Sequence, residues 1–270
     1  MADYLILKGC PIEGMSEFFE EKLTHSIEDY PAGIVIPFDK PYRWTSADVV
    51  RKCKFQLQKH FSMRNLKVGH AGTLDPLATG LLMVCIGKAT KTAEELQSHD
   101  KVYVATVEFG ATTASFDLEQ PVDQYYPFDH INREAIEKVL PSFLGEQEQV
   151  PPMFSAKYVN GIRAYEYARA GEPVELKKSL ITVHAINIVD FKQKNAMISD
   201  DFEVSDNVRK VKNYHTSNIS DGLRPAVTLR IHCSKGTYIR SLARDLGLAL
   251  GSGAYLTSLR RISSGEISIE

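Results

Sequence analysis

Residues Gly69 to Gly87 read GHAGTLDPLATGLLMVCIG, and this stretch decides the local fold. Asp75 stands at its centre, immediately before Pro76, and an unbroken apolar run follows at 81–86. Proline disfavours helical backbone in the residue before it and cannot donate a backbone hydrogen bond, so Asp75 is predicted on a loop. The apolar run is typical of a fully buried strand. We therefore predict a shaped loop that presents a carboxylate and leads into a buried strand.

Length and composition predict a globular protein without a membrane segment. The chain has 270 residues, of which 43% are hydrophobic, enough for one large domain or two small ones. It has no apolar run of the roughly 18 residues that a spanning helix needs. It also lacks a basic segment followed by an apolar core at its start. We expect neither a membrane partner nor a secretory signal.

The cysteines are predicted to be reduced, mostly buried thiols of a cytoplasmic protein. They are scattered singly along the chain, without a CxxC pair, and disulfides are rare in the cytoplasm. The sequence also lacks the HxxxH spacing of many metal sites, so we expect no metal ion. The four cysteines are Cys10, Cys53, Cys85 and Cys233.

Charge is distributed unevenly along a chain whose formal net charge is −2. Residues 1–30 hold seven acids and two bases, residues 40–70 hold eight bases and one acid, and residues 224–261 hold seven bases and one acid. Two basic blocks in a slightly acidic protein predict contact with phosphate groups on one face. The alternative for either block alone is ordinary solvated surface charge.

The first basic block contains a predicted amphipathic helix. A strand at 33–37 leads into a turn at 39–41, after which Thr45 or Ser46 caps a helix with Asp48 in its first turn. This helix has one apolar stripe, and basic residues occupy much of the remainder. The stripe consists of Val50, Cys53 and Leu57, and the basic residues are Arg51, Lys52, Lys54 and Lys59.

Three later segments are predicted strands, and a helix follows the last of them. The strands span 102–109, 180–191 and 227–233, and the first and last alternate apolar and polar residues. The helix follows a turn at 234–237 and is predicted to place its apolar side chains on one face and Arg240 on the other, with Arg244 beside it. The apolar positions are Ile239, Leu242, Ala243, Leu246 and Leu250.

Three further segments complete the predicted organisation. Residues 1–30 are an acidic extension, either a short amphipathic helix packed on the domain or a loose tail. Residues 153–178 interleave aromatic and basic side chains, which suits RNA because rings stack on bases while cations meet phosphates. The alternative for that segment is a surface helix with its aromatic rings turned inward. Residues 192–222 are polar without a clear period, so we predict a long flexible insertion.

Six segments together resemble the TruB-type pseudouridine synthases, which isomerise uridine in the T arm of transfer RNA. They are DKPYRWTS (39–46), GHAGTLDPLATGLL (69–82), KVYVATVEFG (101–110), VPPMFSAKYVNGIRAYEYAR (150–169), CSKGTYIRSLARDLG (233–247) and YLTSLRR (255–261). The resemblance implies an α/β (α+β) fold in which a central, mixed, mainly antiparallel sheet is flanked by helices. It also implies one catalytic domain at 31–270, with an RNA-clamping insertion at 153–178.

The resemblance assigns roles to residues around the reaction. Asp75 matches the catalytic aspartate, and Arg240 matches the arginine that pairs with it and keeps it ionised. Tyr103 matches the tyrosine that stacks on the target base and is placed to take its C5 proton. An ionised Asp75 serves by attacking the base, attacking the sugar or removing a sugar proton, and the sequence leaves these routes open. The residues that match the substrate pocket are His70, Tyr238, Leu259 and Lys40.

The resemblance and the basic blocks together predict the partner. We expect the T-arm stem-loop of transfer RNA to bind, with the uridine at position 55 (transfer-RNA numbering) swung out of its stack. We expect no guide RNA, because the chain stops soon after LRR without a domain of the PUA type. The isomerisation has no net redox change or group transfer, so no cofactor is expected, and no protein partner is indicated. The candidates for contact with the RNA backbone are Arg51, Lys52, Lys54, Arg64, Lys67, Lys157, Arg163 and Arg260.

Two other functions and one departure from the family pattern stay open at the level of sequence. The chain is alternatively a related synthase acting on another RNA, or an RNA-binding folding factor for transfer RNA whose catalysis is incidental or lost. The intact set of Asp75, Tyr103 and Arg240 argues against loss. Arg43 stands where the family pattern usually has glycine, so either the backbone of that turn differs or Arg43 contacts RNA.

Overall fold

Segments from both ends of the chain build the first of two units in the computed structural model, which describes residues 4–193 and 224–269. This unit comprises the residues up to Tyr103 and from Arg260 onward, and the second unit runs from Val104 to Leu259. Most of the insertion predicted at 192–222 lies outside the described residues. Within those residues, no helix has the length and apolar character needed to cross a membrane.

The first unit is a small mixed sheet with three helices. Two strands, β5 (Lys101–Phe109) and β13 (Ala254–Ser264), contribute residues to both units. Its other strands are β1 (Leu5–Ile6), β2 (Ile34–Lys40), β3 (Val68–Ala71), β4 (Thr79–Ile86) and β14 (Ile267–Ser268). Its helices are α1 (Met15–Lys22), α2 (Ser46–His60) and α3 (Ala93–Ser98), with short 3₁₀ turns at Ile27–Asp29 and Gly87–Thr92.

Strand β4 is the centre of the sheet in the first unit. It pairs antiparallel with all of β2 on one side. On the other side it pairs antiparallel with β3 and parallel with β13 at Arg260 and Arg261. Strand β1 extends the sheet parallel to β2. Every residue from Gly80 to Ile86 is buried, which confirms the buried strand predicted from the apolar run.

Helix α2 begins at the predicted capping box. The Thr45 hydroxyl accepts a hydrogen bond from the Asp48 backbone at 3.1 Å, and the Asp48 carboxylate accepts one from the Thr45 backbone at 2.9 Å. The predicted apolar stripe was wrong by one position, because Val49 is buried and Val50 is only half-buried. Residues 49, 53, 57 and 60 follow helical spacing more closely than a stripe through 50 does. The buried residues of α2 are Ser46, Val49, Cys53, Leu57 and His60.

Removing the cap should destabilise the protein modestly. We expect Thr45→Ala to lower the free energy of unfolding by about 1 kcal/mol, because the Asp48 backbone N–H loses its acceptor. In a chain of this size, that corresponds to a fall of about 2–4 °C in melting temperature, measured by circular dichroism. The exposed Thr73→Ala variant is the control. Equal melting temperatures for the two variants would contradict the role of the cap.

The acidic extension packs on the first unit as a helix, the first of the two forms that its sequence allowed. Met15 and Phe19 of α1 are buried. The Lys52 ammonium of α2 lies 2.9 Å from the Glu13 carboxylate, and β1 joins the sheet. Three separate contacts therefore hold the acidic extension on the first unit.

The second unit contains a sheet and helices. Strand β11 pairs antiparallel with β12 and with β8, and the strand order is β13, β5, β12, β11 and β8. Alternating burial in β5 and β12 confirms both predicted strands, because Ala105 and Val107 are buried in one and Leu229 and Ile231 in the other. With the mixed sheet of the first unit, this confirms the predicted fold class. Its further strands are β6 (Ala111–Thr113), β7 (Val122–Tyr125), β8 (Gly145–Gln149), β9 (Tyr158–Val159), β10 (Ile162–Arg163), β11 (Ser179–Lys192) and β12 (Ala226–Cys233). Its helices are α4 (Arg133–Val139), α5 (Ala164–Ala170) and α6 (Ile239–Ala249), with a 3₁₀ turn at Leu140–Phe143.

The cysteines are free and buried, as predicted. Burial raises the pKa of Cys10 to about 12 and that of Cys85 to about 11, and it raises the pKa of Cys53 well above its usual value. Because only the thiolate attacks disulfide reagents, we expect the native protein to react slowly with Ellman's reagent at pH 8. The same protein in guanidinium chloride should release colour equivalent to four thiols. A fast reaction of the native protein would contradict the burial of these groups.

Candidate active site

Asp75 lies half-buried in the turn between β3 and β4. Its carbonyl accepts a hydrogen bond from the Ala78 backbone at 3.1 Å, which closes a tight turn with Pro76 at the second position, where proline is favoured. The Ser46 hydroxyl donates to the Leu74 carbonyl at 3.1 Å and accepts from the Leu74 N–H at 2.9 Å. The backbone on both sides of Asp75 is thus held, by the start of α2 and by the turn itself.

Lys40 fastens the same loop from the end of β2. Its side chain is fully buried, and its ammonium donates to the carbonyls of Pro41 at 2.9 Å, Trp44 at 2.6 Å and Pro76 at 3.2 Å. These bonds use the three N–H donors that an ammonium possesses. The sequence predicted Lys40 in the substrate pocket. The structure directs its donors at the protein's own backbone, including the residue that follows Asp75.

Lys40 and Asp75 are also coupled electrostatically. Burial, the largest influence, lowers the pKa of Lys40 to about 7, and the Asp75 carboxylate is the strongest of the charges that oppose this shift. A buried ammonium without a neighbouring anion is unfavourable. The Asp75 carboxylate therefore favours the charged form of Lys40.

Arg261 of β13 braces the loop on its remaining side. The guanidinium is buried, and it donates to the Leu81 carbonyl at 2.7 Å and to the Gly72 carbonyl at 3.0 Å. Gly80 has φ +97°, and a Cβ at this position would collide with the Arg261 carbonyl, so only glycine allows this close approach. Sequence reasoning missed the bracing role of Arg261 and proposed Arg260 for RNA contact. The two adjacent arginines differ only in the side of the strand that they occupy.

His70 lies on β3 opposite Val84. Burial first, and the charge of Arg261 second, lower the pKa of this imidazole, so it is neutral at neutral pH. Within the described residues, its buried Nδ1 has no hydrogen-bond partner. A neutral, half-buried ring beside the Asp75 loop suits the predicted place in a substrate pocket.

Tyr103 is the third residue of β5, as the predicted strand required, and it is 9% exposed. It shares a face of the strand with the buried Ala105 and Val107. The phenol is therefore held by strand packing near the beginning of β5.

Arg240 corrects the predicted helical face. We expected it opposite the apolar side chains of α6, yet its side chain is buried. Its guanidinium lies 3.7 Å from the Asp117 carboxylate and donates to the carbonyls of Ser115 at 3.1 Å and Phe154 at 2.8 Å. A buried guanidinium requires such partners, and Asp117 was missed because nothing in its sequence context marks it. Arg240 thereby holds the beginning of the 153–178 segment against α6.

The other two predicted pocket residues lie in the second unit with Arg240. Tyr238 precedes α6, and its backbone N–H and carbonyl are bound by the amide of Gln149 at 2.8 Å and 3.1 Å. Leu259 is half-buried on β13. Lys40, His70, Asp75 and Tyr103 belong to the first unit. That the two sets converge on one nucleotide stays a prediction.

Several of the predicted backbone-binding residues are exposed, and several have partners in the protein. Arg51, Arg64 and Lys67 are exposed, Lys54 is half-buried, and the Arg51 guanidinium donates to the Asp48 carboxylate at 2.8 Å. The Lys52 ammonium pairs with Glu13 and lies 5.5 Å from the centre of the Trp44 ring. Three others make contacts within their own unit: Lys157 donates to the Lys177 carbonyl at 2.7 Å, Arg163 stacks on Tyr158, and Arg260 forms two hydrogen bonds with Asp39.

Arg43 lies in a turn with left-handed backbone. Its φ is +64°, the conformation that glycine adopts with least strain. This backbone explains why the family pattern has glycine at this position, and both interpretations offered by the sequence stay predictions. The Arg43 guanidinium lies 5.5 Å from the centre of the Tyr42 ring.

Known proteins resemble this chain over most of its length. A family described as TruB family pseudouridylate synthase (N terminal domain) matches residues 58–207. The tRNA pseudouridine synthase B of Phocaeicola vulgatus is 45% identical over 242 residues, which cover 90% of this chain and 90% of that protein. The protein of the same name from Thermobifida fusca is 42% identical over 238 residues, covering 88% of this chain and 71% of that protein.

Solved structures show the same fold. A chain in the crystal structure of a Cbf5–Nop10–Gar1 complex superposes with a TM-score of 0.55 and 27% identity over 87% of this chain. This chain spans 50% of the length of that one. A family model matches more than half of the chain, and relatives above 40% identity align along nearly its whole length. The chain belongs to the TruB family of pseudouridylate synthases.

Proposed function

We propose that this protein isomerises uridine to pseudouridine in transfer RNA, with the T-arm uridine at position 55 as its target. The observation that carries the proposal is the Asp75 loop, which Lys40, Ser46 and Arg261 hold from three elements. A turn that only connected two strands would not need a buried ammonium and a buried guanidinium. The relatives named tRNA pseudouridine synthase B supply the reaction and the class of substrate.

The chemistry requires one carboxylate and no added reagent. The glycosidic bond between nitrogen and the sugar carbon breaks, the uracil turns, and its C5 forms the new bond to the same sugar carbon. C5 loses a proton and the freed nitrogen gains one, so atoms and electrons balance. Asp75 takes part as nucleophile or base, and the bond from Lys40 to the Pro76 carbonyl holds its loop. Attack on the base, attack on the sugar and removal of a sugar proton all use the same placement of this carboxylate.

Tyr103 and Arg240 complete the proposed site. Tyr103 supplies a ring for the extruded uracil and a phenol for the C5 proton, while Tyr238, Leu259 and His70 surround the base. We infer that Arg240 carries positive charge toward the reaction while its bonds to Ser115 and Phe154 keep it in place. Extruding a base from a folded arm costs a few kcal/mol, and stacking on an aromatic ring returns about 1–3 kcal/mol.

Helix α2 presents the surface that we propose for the RNA backbone. Arg51, Phe55 and Lys59 are each four residues apart and exposed, so they form one stripe along the helix. The Phe55 side chain is 55% exposed, and the Lys59 ammonium lies 4.3 Å from the centre of its ring. A ring between two cations suits a nucleic acid, because the cations meet phosphates while the ring contacts a sugar or base. Sequence reasoning found the cations and missed Phe55.

Neutralising the stripe should weaken binding in a salt-dependent way. We expect Arg51→Gln combined with Lys59→Gln to reduce the slope of log binding constant against log salt by about 2, because each removed cation leaves about one phosphate without its partner. Fluorescence anisotropy with a labelled T-arm stem-loop, at about five salt concentrations between roughly 50 and 200 mM, measures this slope. Lys22→Gln, on the acidic helix α1, is the matched control. A slope equal to that of the wild type would remove α2 from the interface.

Isomerisation of a whole transfer RNA tests the proposed function. Incubation with the protein alone, without a guide RNA, should place pseudouridine at position 55, mapped by carbodiimide modification and primer extension. A second RNA with cytidine at that position should remain unmodified. Pseudouridine elsewhere in the transfer RNA, or in another RNA class only, would support the related-synthase alternative. Binding without isomerisation would support the folding-factor alternative.

The organisation proposed around this site follows the resemblance. We infer that residues 31–270 act as one catalytic domain in the cytoplasm and that the segment at 153–178 clamps the RNA. In the structure that segment contains the β9–β10 hairpin and α5, which carry Tyr158, Arg163 and Tyr165. Arg163 lies 3.8 Å from the centre of the Tyr158 ring, so cation and ring form one surface for a nucleotide.

A further inference from the structure

Two histidines and a glutamate from distant parts of the first unit meet at the end of α2. Glu20 belongs to α1, His25 follows that helix, and His60 is the last residue of α2. One ligand atom from each lies within 4.8 Å of the other two. The nearest sequence spacing among them is five residues, which explains why a search for HxxxH patterns predicted no metal ion.

One ring nitrogen of each histidine lies next to a backbone carbonyl, as is usual for metal-binding histidines. His60 Nε2 lies 2.9 Å from the Thr24 carbonyl, and His25 Nδ1 lies 3.3 Å from the His60 carbonyl. A carbonyl only accepts hydrogen bonds, so each of these nitrogens is the protonated one. Metal-binding histidines usually donate their second ring N–H to a carbonyl or carboxylate in this manner, which fixes the tautomer and the ring orientation.

The remaining nitrogens both lie opposite one carboxylate. His60 Nδ1 lies 3.0 Å from Glu20 Oε1, and His25 Nε2 lies 3.5 Å from Glu20 Oε2. A carboxylate oxygen only accepts hydrogen bonds, so a positive charge, either a second proton on the imidazole or a bound cation, accounts for each close approach. Donor atoms around a tetrahedral Zn²⁺, with bonds of about 2.0–2.1 Å, are separated by about 3.3 Å. The two observed separations, each to a different oxygen of Glu20, lie on either side of that value.

Burial and access also fit a bound ion. The His60 side chain is 3% exposed, while those of Glu20 and His25 are 54% and 72% exposed. The His25 and His60 rings lie with their centres 4.7 Å apart. One ligand is therefore fixed in the protein interior, and two lie at the surface, where an ion enters and water completes the coordination.

We propose that Glu20, His25 and His60 form a site for a divalent transition metal of the Zn²⁺ class. Two imidazoles and one carboxylate are the donor set of several zinc sites, with a water molecule as the fourth ligand. The ion ties the segment after α1 to the carboxyl end of α2. The site thereby anchors the acidic extension on the helix whose exposed stripe we assign to RNA, and it exists whether or not that assignment holds.

Metal binding to the full chain tests the proposal. The protein is purified without a histidine tag, treated with chelator and titrated with Zn²⁺ at pH 7.5 by calorimetry. We expect one equivalent to bind, and Glu20→Gln and His25→Gln each to weaken that binding by at least about tenfold. His130→Gln is the matched control, because it removes an exposed histidine outside the cluster, whose Nε2 lies 2.7 Å from the Leu250 carbonyl. Saturating Zn²⁺ should raise the melting temperature of the wild type by about 5 °C and leave that of the Glu20→Gln/His25→Gln double variant unchanged.

Two further readouts separate metal binding from alternatives. Co²⁺ should give visible absorption bands of a four-coordinate site in the wild type and in His130→Gln, and not in Glu20→Gln. Because Glu20 and His25 are exposed, their variants should keep the circular dichroism spectrum of the wild type, so loss of binding is not loss of fold. Equal Zn²⁺ binding by the wild type and the Glu20/His25 variants would overturn the proposal. So would the absence of any binding, which would leave a second proton on His60 as the positive charge.

Discussion

Replacing Asp75 with asparagine is expected to abolish pseudouridine formation while leaving RNA binding within about tenfold of the wild type. The two side chains are nearly isosteric, but an amide can neither attack carbon nor accept a proton at neutral pH. The loop backbone should be unaffected, because its bonds from Ser46, Lys40 and Arg261 go to the carbonyls and N–H groups of other residues. Single-turnover rates with excess enzyme measure the chemical step, and anisotropy measures binding.

The control for this variant is Asp29→Asn, which removes an exposed carboxylate on a 3₁₀ turn of the same unit. It should turn over at the wild-type rate. Turnover by Asp75→Asn within about tenfold of the wild type would assign the chemistry to another residue. Loss of binding together with turnover would show that Asp75 supports the fold of the site rather than the reaction.

Replacing Lys40 with methionine is expected to reduce the single-turnover rate by about 100-fold. The methionine fills similar volume but removes the donors to Pro41, Trp44 and Pro76. The Pro76 carbonyl, directly after Asp75, is then free to move, and a displacement of about 1 Å at a reacting group costs roughly two orders of magnitude. Binding of the T-arm stem-loop should stay within about threefold, because Lys40 is fully buried. A comparable loss in the surface variant Lys22→Met would indicate that the effect is not local.

The pH dependence of stability tests the same residue independently of turnover. Lys40 has a pKa of about 7 in the folded protein, below its ordinary value of 10.5. Between these values the unfolded chain binds one more proton than the folded one, so the contribution of Lys40 makes the free energy of unfolding increase as the pH rises. The Lys40→Met variant lacks this contribution. Melting temperatures from pH 7 to pH 10 should therefore rise more steeply for the wild type, and parallel profiles would contradict the assigned burial of the ammonium.

The features that follow from local pattern were predictable from the sequence. The unbroken apolar run indicated the central strand β4, and alternation indicated β5 and β12. The Thr45–Asp48 spacing indicated the start of α2. These elements depend on periods of two and 3.6 residues and on capping chemistry, which act within a few neighbouring positions. Asp75 was placed correctly on a turn for the same reason, because Pro76 restricts its backbone.

The features that sequence reasoning missed depend on contacts between distant segments. Arg240 lies on the buried face of α6, where Asp117 and two carbonyls surround it. Hydrophobic periodicity does not predict that a charged residue is buried. The three carbonyl partners of Lys40 come from two separate segments, so its bonds to the protein's own backbone could not be predicted from the sequence. Arg260 and Arg261 are adjacent and chemically equal, so only the strand pairing shows which one is buried.

The central claim is that Asp75 is the reaction centre. Its most direct test is the release of tritium from a T-arm stem-loop that is labelled at C5 of its uridines. Forming the new bond at C5 expels that hydrogen into water, so the assay counts completed isomerisations. The wild type should release one tritium per RNA from position 55, and Asp75→Asn should release none although it binds the same RNA. Release by Asp75→Asn, or a wild-type complex that releases nothing, would contradict the assignment of Asp75 as the reaction centre.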